Sequence, residues 1–231
     1  MSAERADSET RTYGRRAFIA VSALGLSSLA WGRPAWQSIS GVAQPLTSAL
    51  PAGIVPSGGW RIYTVASSMP RFDPKTWTLR VDGLVESPRS FTYAELRSLP
   101  RAEQVSTFHC VTGWSVEDVR WAGVRFSDLL DLVRPREAAR VLTLESAEKP
   151  YADTLTLEQA RLDDVMLAYE MDAKPLPREH GAPVRLVIPE MYGYKNVKWV
   201  ERIVVKAEAA PGYWEQRGYD ADAWVGRSNG F

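Results

Sequence analysis

One cysteine and two histidines are the side chains in this sequence best suited to metal binding or nucleophilic chemistry. Cys110 directly follows His109, and the second histidine, His180, lies far along the chain. A single cysteine excludes an intramolecular disulfide, and a zinc site of the usual Cys/His type would need carboxylates to complete its ligands. A thiolate suits a soft or high-valent transition metal, and binding to that metal deprotonates the thiol. The alternative is a structural thiol that is buried as a small hydrophobic side chain.

The position of Cys110 at the end of a predicted strand, residues 104–110, is compatible with both interpretations. The chain then enters a turn that contains Gly113. A cysteine at such a strand end can present its sulfur to a cleft while the strand holds the backbone still. His109 and the hydroxyl group of Thr112 are the nearest candidates for hydrogen bonds around the sulfur. The position of Cys110 alone therefore does not decide whether it is a metal ligand or a structural thiol.

The elements that would position these residues are short strands that alternate with short helices. Apolar and polar residues alternate in 77–83, which predicts a strand, and the apolar segments 141–145, 184–188 and 197–206, the last rich in Val and Ile, predict three more strands. Helices are predicted where capping-box residues or an amphipathic pattern occur, namely after Thr92 with Glu95, after Thr156 with Gln159, and over 126–133. No Gly-x-Gly-x-x-Gly follows a strand, which disfavours a dinucleotide-binding fold. The pattern predicts an α+β domain dominated by sheet.

The N-terminal segment has the features of an export signal. Arg15 and Arg16 precede a moderately apolar run over 17–30, which resembles a twin-arginine signal. We predict that residues 1–43 form this signal, that 44–59 form a linker rich in Pro, Gly and Ser, and that 60–231 form the functional domain, which acts in the periplasm. The apolar run falls short of the ~20 strongly apolar residues of a membrane span. An uncleaved amphipathic membrane anchor is the alternative.

Composition excludes one class of partner. Lys and Arg number 28, and Asp and Glu also number 28, and the sequence has no basic run. Nucleic acid is therefore not an expected partner. With 45% hydrophobic residues, the chain can bury a core.

Three separated parts of the sequence resemble the molybdopterin-binding domain of sulfite oxidases and of bacterial periplasmic methionine-sulfoxide-reducing enzymes. They are residues 60–65 with 77–83, residues 108–115 with 121–130, and residues 174–199. The resemblance extends over about residues 58–220. It implies the sulfite-oxidase molybdopterin-binding fold, a molybdenum ion and molybdopterin.

The resemblance also implies roles for individual residues. Cys110 matches the cysteine that binds the molybdenum together with the dithiolene of molybdopterin. Arg185 matches the arginine that contacts the phosphate end of the cofactor, and a guanidinium group fits a phosphate bidentately. The other expected cofactor contacts are His180, Asn196, Val197, Lys198, Arg61, Thr64, Val65 and Ser146. The alternatives are that Arg185 and Lys198 are solvated charges on strands and that His180 is a loop histidine without a ligand.

The implied activity is a two-electron oxygen-atom transfer on a small substrate of the sulfite or sulfoxide class. A separate protein, either a membrane haem protein or a soluble cytochrome, would exchange the electrons. Val111, Thr112 and Gly113 stand where sulfite oxidase has arginine-rich surroundings, which weakens sulfite as the substrate. Tyr192 or Tyr194 is expected to line the path of the substrate. The rival hypotheses are a cofactor-free exported binding module that keeps the fold and a thiol-redox protein, which the lack of a second cysteine disfavours.

Overall fold

The computed structural model describes residues 59–227, and strands are its main regular element. The predicted export signal and all of the predicted linker except Gly59 lie outside the described residues. The strands are β1 (Thr78–Gly83), β2 (Arg89–Thr92), β3 (Ala102–Cys110), β4 (Trp114–Arg125), β5 (Val141–Ser146), β6 (Ala152–Thr156), β7 (Met166–Met171), β8 (Lys174–Pro175), β9 (Arg185–Val187) and β10 (Val200–Lys206). The helices are α1 (Tyr93–Ser98), α2 (Phe126–Val133) and α3 (Leu157–Ala160), and short 3₁₀ turns occupy Arg178–His180 and Glu215–Arg217.

The strands form two sheets. The first has the order β2-β1-β10-β5-β6, in which β1 and β10 run parallel and the other neighbours run antiparallel. The second has the order β3-β4-β7-β8, and β9 also pairs with β7. The prediction of a sheet-dominated α+β domain is confirmed.

The three helices begin where local signals predict. Thr92 accepts a hydrogen bond from the Glu95 backbone N–H, and the Glu95 side chain accepts one in return from the Thr92 N–H. Thr156 and Gln159 form the same reciprocal pair at α3. Helix α2 buries its apolar face, which consists of Phe126, Leu129, Leu130 and Val133. The predictions of all three helices are confirmed.

Two strand predictions were too long. The strand predicted over 197–206 begins only at Val200, because the preceding residues form a turn. In that turn the Val197 N–H donates to the Lys195 carbonyl at 2.9 Å, and Trp199 adopts a left-handed φ of 51°. The strand predicted over 184–188 is limited to Arg185–Val187. Apolar residues continue beyond both strands because the adjoining turns are themselves buried.

Strand β4, the longest in the described chain, was not predicted. Its pairing with β3 shifts register between Ser106 and Phe108, and Asp118 on β4 has a left-handed φ of 56°. Such a bulge inserts extra residues and interrupts the alternation of apolar and polar side chains. The period-2 pattern that predicts strands is therefore lost in this part of the sequence.

The core lies between the sheets and under α2. The larger buried cluster includes Leu79 of β1, Leu142 of β5, Leu167 of β7 and Phe126 of α2. A smaller cluster around Trp60 and Trp121 packs on the second sheet. No helix within residues 59–227 combines the length and the hydropathy that would be needed to span a membrane.

Candidate functional site

A cavity of about 450 Å³ brings together most of the residues that the sequence singled out. Nine of the ten predicted site residues line it, namely Arg61, Thr64, Val65, Cys110, Ser146, His180, Arg185, Asn196 and Lys198. Val197 is the exception. Its side chain is fully buried in the core, and its carbonyl accepts a hydrogen bond from the Leu186 N–H at 2.8 Å.

Cys110 lies half-buried at the end of β3. The Gly113 N–H donates to the Cys110 carbonyl at 3.1 Å and closes the turn between β3 and β4. The Thr112 hydroxyl oxygen lies 3.2 Å from the Cys110 Sγ, so Thr112 is placed to hydrogen bond with the sulfur. His109 is placed differently, because its side chain lines a separate small cavity and its Nδ1 lies 2.9 Å from the Ser115 hydroxyl.

Phe108 connects the cysteine-bearing strand with the arginine. It precedes Cys110 by two residues in β3, so both side chains lie on one face of the strand. Its ring packs against Gly193, where a Cβ atom would lie 2.3 Å from the Phe108 Cζ, so this close approach requires glycine. The same ring lies 5.6 Å from the guanidinium carbon of Arg185. Packing around Phe108 thus places the thiol and the guanidinium group in one cavity.

Arg185 is a buried cation whose described hydrogen bonds are all to backbone carbonyls. Its side chain donates to the carbonyls of His180 at 3.2 Å, Leu186 at 3.3 Å and Asn196 at 3.5 Å. Its guanidinium carbon also lies 5.1 Å from the centroid of the Trp121 ring. Within residues 59–227, no carboxylate forms a salt bridge with it, and burial lowers the pKa of Arg185 to about 10.

His180 and Lys198 lie beside Arg185, and at neutral pH Lys198 adds to the positive charge while His180 is neutral. Burial, followed by the charge of Arg185, lowers the pKa of Lys198 to about 8 and that of His180 to about 4. The Lys198 ammonium group donates to the carbonyls of Tyr63 at 2.8 Å and Glu179 at 3.2 Å. We call His180, Arg185 and Lys198 the basic cluster. Because burial lowers the pKa of all three members, and the charge of Arg185 lowers those of Lys198 and His180 further, an anionic ligand would relieve an unfavourable charge.

A buried carboxylate, Glu148, holds the segment that carries two predicted contacts. It accepts hydrogen bonds from the Val65 N–H at 2.9 Å, from the Ala66 N–H at 3.4 Å and from the Thr64 hydroxyl. The Ser146 hydroxyl accepts from the Glu148 N–H at 2.9 Å and donates to the Lys198 carbonyl at 2.8 Å. Ser146 therefore lines the cavity with a hydroxyl that holds the walls together. The sequence offered no signal for Glu148, because a lone glutamate in a loop is usually solvated.

Asn196 and Arg61 have different surroundings. The Asn196 side chain is engaged with its own loop, since its Oδ1 accepts from the Ile188 N–H at 2.9 Å. Arg61 is exposed, and its guanidinium carbon lies 6.0 Å from the Trp114 ring centroid. Asn196 thus fixes the loop that carries Lys198, and Arg61 lies at the rim of the cavity.

Five aromatic residues form the opposite part of the cavity wall, and we call them the aromatic cluster. Its rings contact one another in a continuous series, with centroid distances of 5.0–5.4 Å. The Tyr151 hydroxyl also donates to the Tyr194 carbonyl at 2.6 Å. Of the two tyrosines proposed from the sequence, Tyr194 lines the cavity and Tyr192 is absent from its lining. The members are Tyr151, Tyr194, Tyr213, Trp214 and Tyr219.

The cavity fits a large ligand that combines a metal, hydrogen-bond acceptors and a phosphate. The half-buried thiol of Cys110 supplies a soft metal ligand. The Trp114 Nε1 is a buried donor without a hydrogen-bond partner in the part of the chain that the structure describes, and Trp114 lines the cavity. Buried donors are normally satisfied, so this one is available to a ligand. The basic cluster supplies the positive charge that a phosphate needs.

Comparison with known proteins gives matches to oxidoreductases and to a molybdopterin-binding domain. The family model described as "Oxidoreductase molybdopterin binding domain" matches residues 66–214. The uncharacterized oxidoreductase YuiH of Bacillus subtilis is 37% identical over 154 residues, which cover 66% of this chain and 77% of YuiH. The putative protein-methionine-sulfoxide reductase subunit YedZ1 of Azospira oryzae is 33% identical over 156 residues, which cover 68% of this chain and 58% of YedZ1.

A solved structure shares the fold. The sulfane dehydrogenase SoxCD of Paracoccus pantotrophus matches with a TM-score of 0.59 and 28% sequence identity, over 62% of this chain and 41% of the SoxCD chain. The matched part of this chain thus covers less than two thirds of the length of YedZ1 and of the SoxCD chain. The predicted molybdopterin-binding fold is confirmed by this match and by the family model.

Proposed function

Because the chain belongs to the family of oxidoreductase molybdopterin-binding domains, we propose that it is an enzyme that transfers an oxygen atom and two electrons to or from a small sulfur compound. The observation that carries the proposal is the buried Arg185, which has no carboxylate partner among the described residues and shares a cavity with the only cysteine of the chain. An unpaired buried cation is costly unless a ligand supplies the missing anion.

In this proposal each part of the cavity has a separate task. Cys110 binds the molybdenum, and the Thr112 hydroxyl hydrogen bonds with the sulfur and so tunes the metal site. The basic cluster binds the phosphate of molybdopterin, and the Trp114 Nε1 donates to an acceptor of the cofactor. The bound molybdenum supplies the oxygen-atom transfer chemistry. The aromatic cluster excludes water and contacts the substrate.

The charges of the cavity favour a neutral substrate over sulfite. Once the predicted cofactor contacts are set aside, the charged side chains among the described lining residues are Glu148 and Glu179, and both are acidic. The aromatic cluster contains no acidic or basic residue, and burial raises the pKa of Tyr151 well above its usual value. A doubly charged anion such as sulfite would meet no complementary charge there. We therefore propose a neutral sulfoxide, consistent with the name of the relative YedZ1.

A comparison of two half-reactions tests this function. Reduction of a sulfoxide consumes two electrons and two protons and yields a sulfide and water, whereas oxidation of sulfite with water yields sulfate, two electrons and two protons. With reduced viologen dye, methionine sulfoxide should be turned over with a kcat/KM at least about tenfold above that for sulfite with ferricyanide, because like charges cost several kcal/mol. A preference for sulfite would contradict the neutral-substrate proposal. Absence of both activities in molybdenum-loaded protein would contradict oxygen-atom transfer.

The electrons would pass to or from a second protein, for which we propose a membrane haem protein or a soluble cytochrome. Anaerobic mixing of the protein and its substrate with each haem protein should change the haem absorbance. If neither mixture changes, the haem-protein partner is wrong.

We further propose that residues 1–43 direct export of the folded, cofactor-loaded protein to the periplasm by the twin-arginine route. This route suits a protein whose cofactor must be inserted before export, because ligand binding stabilises the fold. Replacement of both Arg15 and Arg16 with lysine should leave folded, molybdenum-loaded protein in the cytoplasm, as measured by cell fractionation. Arg33→Lys is the matched control and should be exported normally. Normal periplasmic levels of the double variant would contradict this route and favour a membrane anchor or an ordinary signal.

A further inference from the structure

A buried ionic triad lies behind the aromatic cluster, and it consists of Asp153, Lys195 and Glu215. The Lys195 ammonium group donates to the Asp153 Oδ1 at 2.8 Å and to the Glu215 carboxylate. It also donates to the Thr154 carbonyl at 3.2 Å. The side chains of Lys195, Asp153 and Glu215 are only 3%, 1% and 9% exposed. None of these three side chains has a role in the proposed binding of the cofactor or the substrate.

Each member of the triad lies within two residues of a member of the aromatic cluster. Tyr194 directly precedes Lys195, Trp214 directly precedes Glu215, and Tyr151 lies two residues before Asp153. The triad therefore joins three segments that are far apart in the chain, and these same segments meet again in the cavity wall. A movement of one charged side chain would be transmitted to the neighbouring ring through one or two peptide units.

The third segment is held tightly against β6. The Gly212 N–H donates to the Glu215 Oε2 at 2.9 Å, and the Tyr213 N–H donates to the Ala152 carbonyl at 2.8 Å. A Cβ atom at Gly212 would lie 2.7 Å from the carboxylate carbon of Asp153. Glycine is thus required for the backbone to approach the triad so closely.

The charges of the triad do not balance. Two carboxylates share one ammonium group, and the Asp153 Oδ2 is buried without a hydrogen-bond partner within residues 59–227. Burial, together with the charge of Glu215, raises the pKa of Asp153 to about 6 despite the contact with Lys195. Burial opposes the charge of Lys195, but the two carboxylates raise its pKa above the usual value. Since buried ion pairs add little to stability, the arrangement suits positioning better than stabilisation.

We propose that the triad positions the aromatic cluster and thereby sets the affinity of the enzyme for its substrate. This proposal rests on the proposed function, in which the aromatic cluster contacts the substrate. Lys195 and its two partners are positioning residues, because they act through the adjacent rings. Their side chains are absent from the lining of the cavity.

Glu215→Gln tests this positioning role most directly, because it replaces one carboxylate oxygen with an amide nitrogen and otherwise keeps the shape of the side chain. Glutamine cannot accept from both the Lys195 ammonium group and the Gly212 N–H in the present geometry, since its Nε2 is only a donor. We expect KM for methionine sulfoxide to rise by about tenfold while kcat changes less than about twofold, the signature of lost uniform binding. Molybdenum content should stay unchanged. Glu208→Gln, at an exposed position four residues before Gly212, is the matched control and should leave both constants unchanged.

Hydrogen exchange of the backbone amides provides a test that is independent of turnover. In Glu215→Gln, exchange should become faster in residues 151–155, in 192–197 and in 212–219, because all three segments meet at Lys195. Faster exchange in 212–219 alone, or an unchanged KM in active protein, would overturn the proposal. If Glu215→Gln does not fold, Asp153→Asn serves instead and should show the same coupled exchange. An inactive wild-type protein would refute the proposed function, whereas the exchange data would still decide whether the triad couples the three segments.

Discussion

Replacement of Cys110 with alanine is expected to abolish turnover and to remove the thiolate-to-metal absorption band while the protein remains folded. The sulfur is the one protein ligand that we assign to the molybdenum, so its loss should exceed the roughly 10–100-fold effect of removing a residue that only orients a ligand. Cys110 is half-buried at a strand end, and its described side-chain hydrogen bond is to Thr112. The fold should therefore tolerate the change, with a loss of stability of about 1 kcal/mol.

Thr112→Val is the matched control for this variant. It keeps the shape of the side chain and removes the hydroxyl group 3.2 Å from the sulfur, so the absorption band should persist. Absorption spectra, turnover and thermal unfolding of both variants test whether the Cys110 thiol is a metal ligand. A Cys110→Ala protein with an unchanged spectrum and unchanged activity would show that the thiol is not a metal ligand.

Arg185→Ala is expected to produce the second largest effect, which is loss of the cofactor during purification and dialysis. The guanidinium group is the most deeply buried member of the basic cluster, and each charge-assisted hydrogen bond to a phosphate contributes about 1.5–3 kcal/mol. Loss of one such bond should weaken binding by about 10–100-fold. Lys198→Ala should act in the same direction. The measurement is the amount of molybdenum and pterin retained per chain.

Two further variants separate cofactor binding from folding in this experiment. Arg185→Lys keeps the charge without the planar fork, so it should retain more cofactor than Arg185→Ala. Arg161→Ala, at an exposed arginine that pairs with Asp131, should retain all of it. Full occupancy of Arg185→Ala after dialysis would mean that another residue binds the phosphate.

The parts of the fold that the sequence predicts well are those encoded by neighbouring residues. The capping boxes of Thr92 and Thr156 lie within single turns, and the apolar face of α2 repeats within eight residues. Strand β4 was missed because the bulge at Asp118 is defined by pairing with β3. The start of β10 was placed too early, because the buried turn before Val200 has the composition of a strand.

The same distinction, between features encoded locally and features that form only in the folded chain, applies to the site. The resemblance named nine residues that the fold brings to one cavity, although their contacts with a cofactor stay predictions. Val197 was predicted as a tenth, on a loop that contacts the cofactor through backbone groups; its side chain lies in the core and it is absent from the cavity lining. The aromatic cluster and Glu148 were not predicted as groups, because their partners lie on segments that meet only in the folded chain.

The molybdenum and pterin content of the purified wild-type protein tests the central claim most directly. The protein should be produced in a bacterium that loads another molybdoenzyme at the same time, and the metal should be measured by mass spectrometry beside the released pterin. We expect about one molybdenum and one pterin per chain, and neither in a strain that cannot make molybdopterin. Folded protein without molybdenum from the competent strain would contradict the account and would favour a cofactor-free binding module.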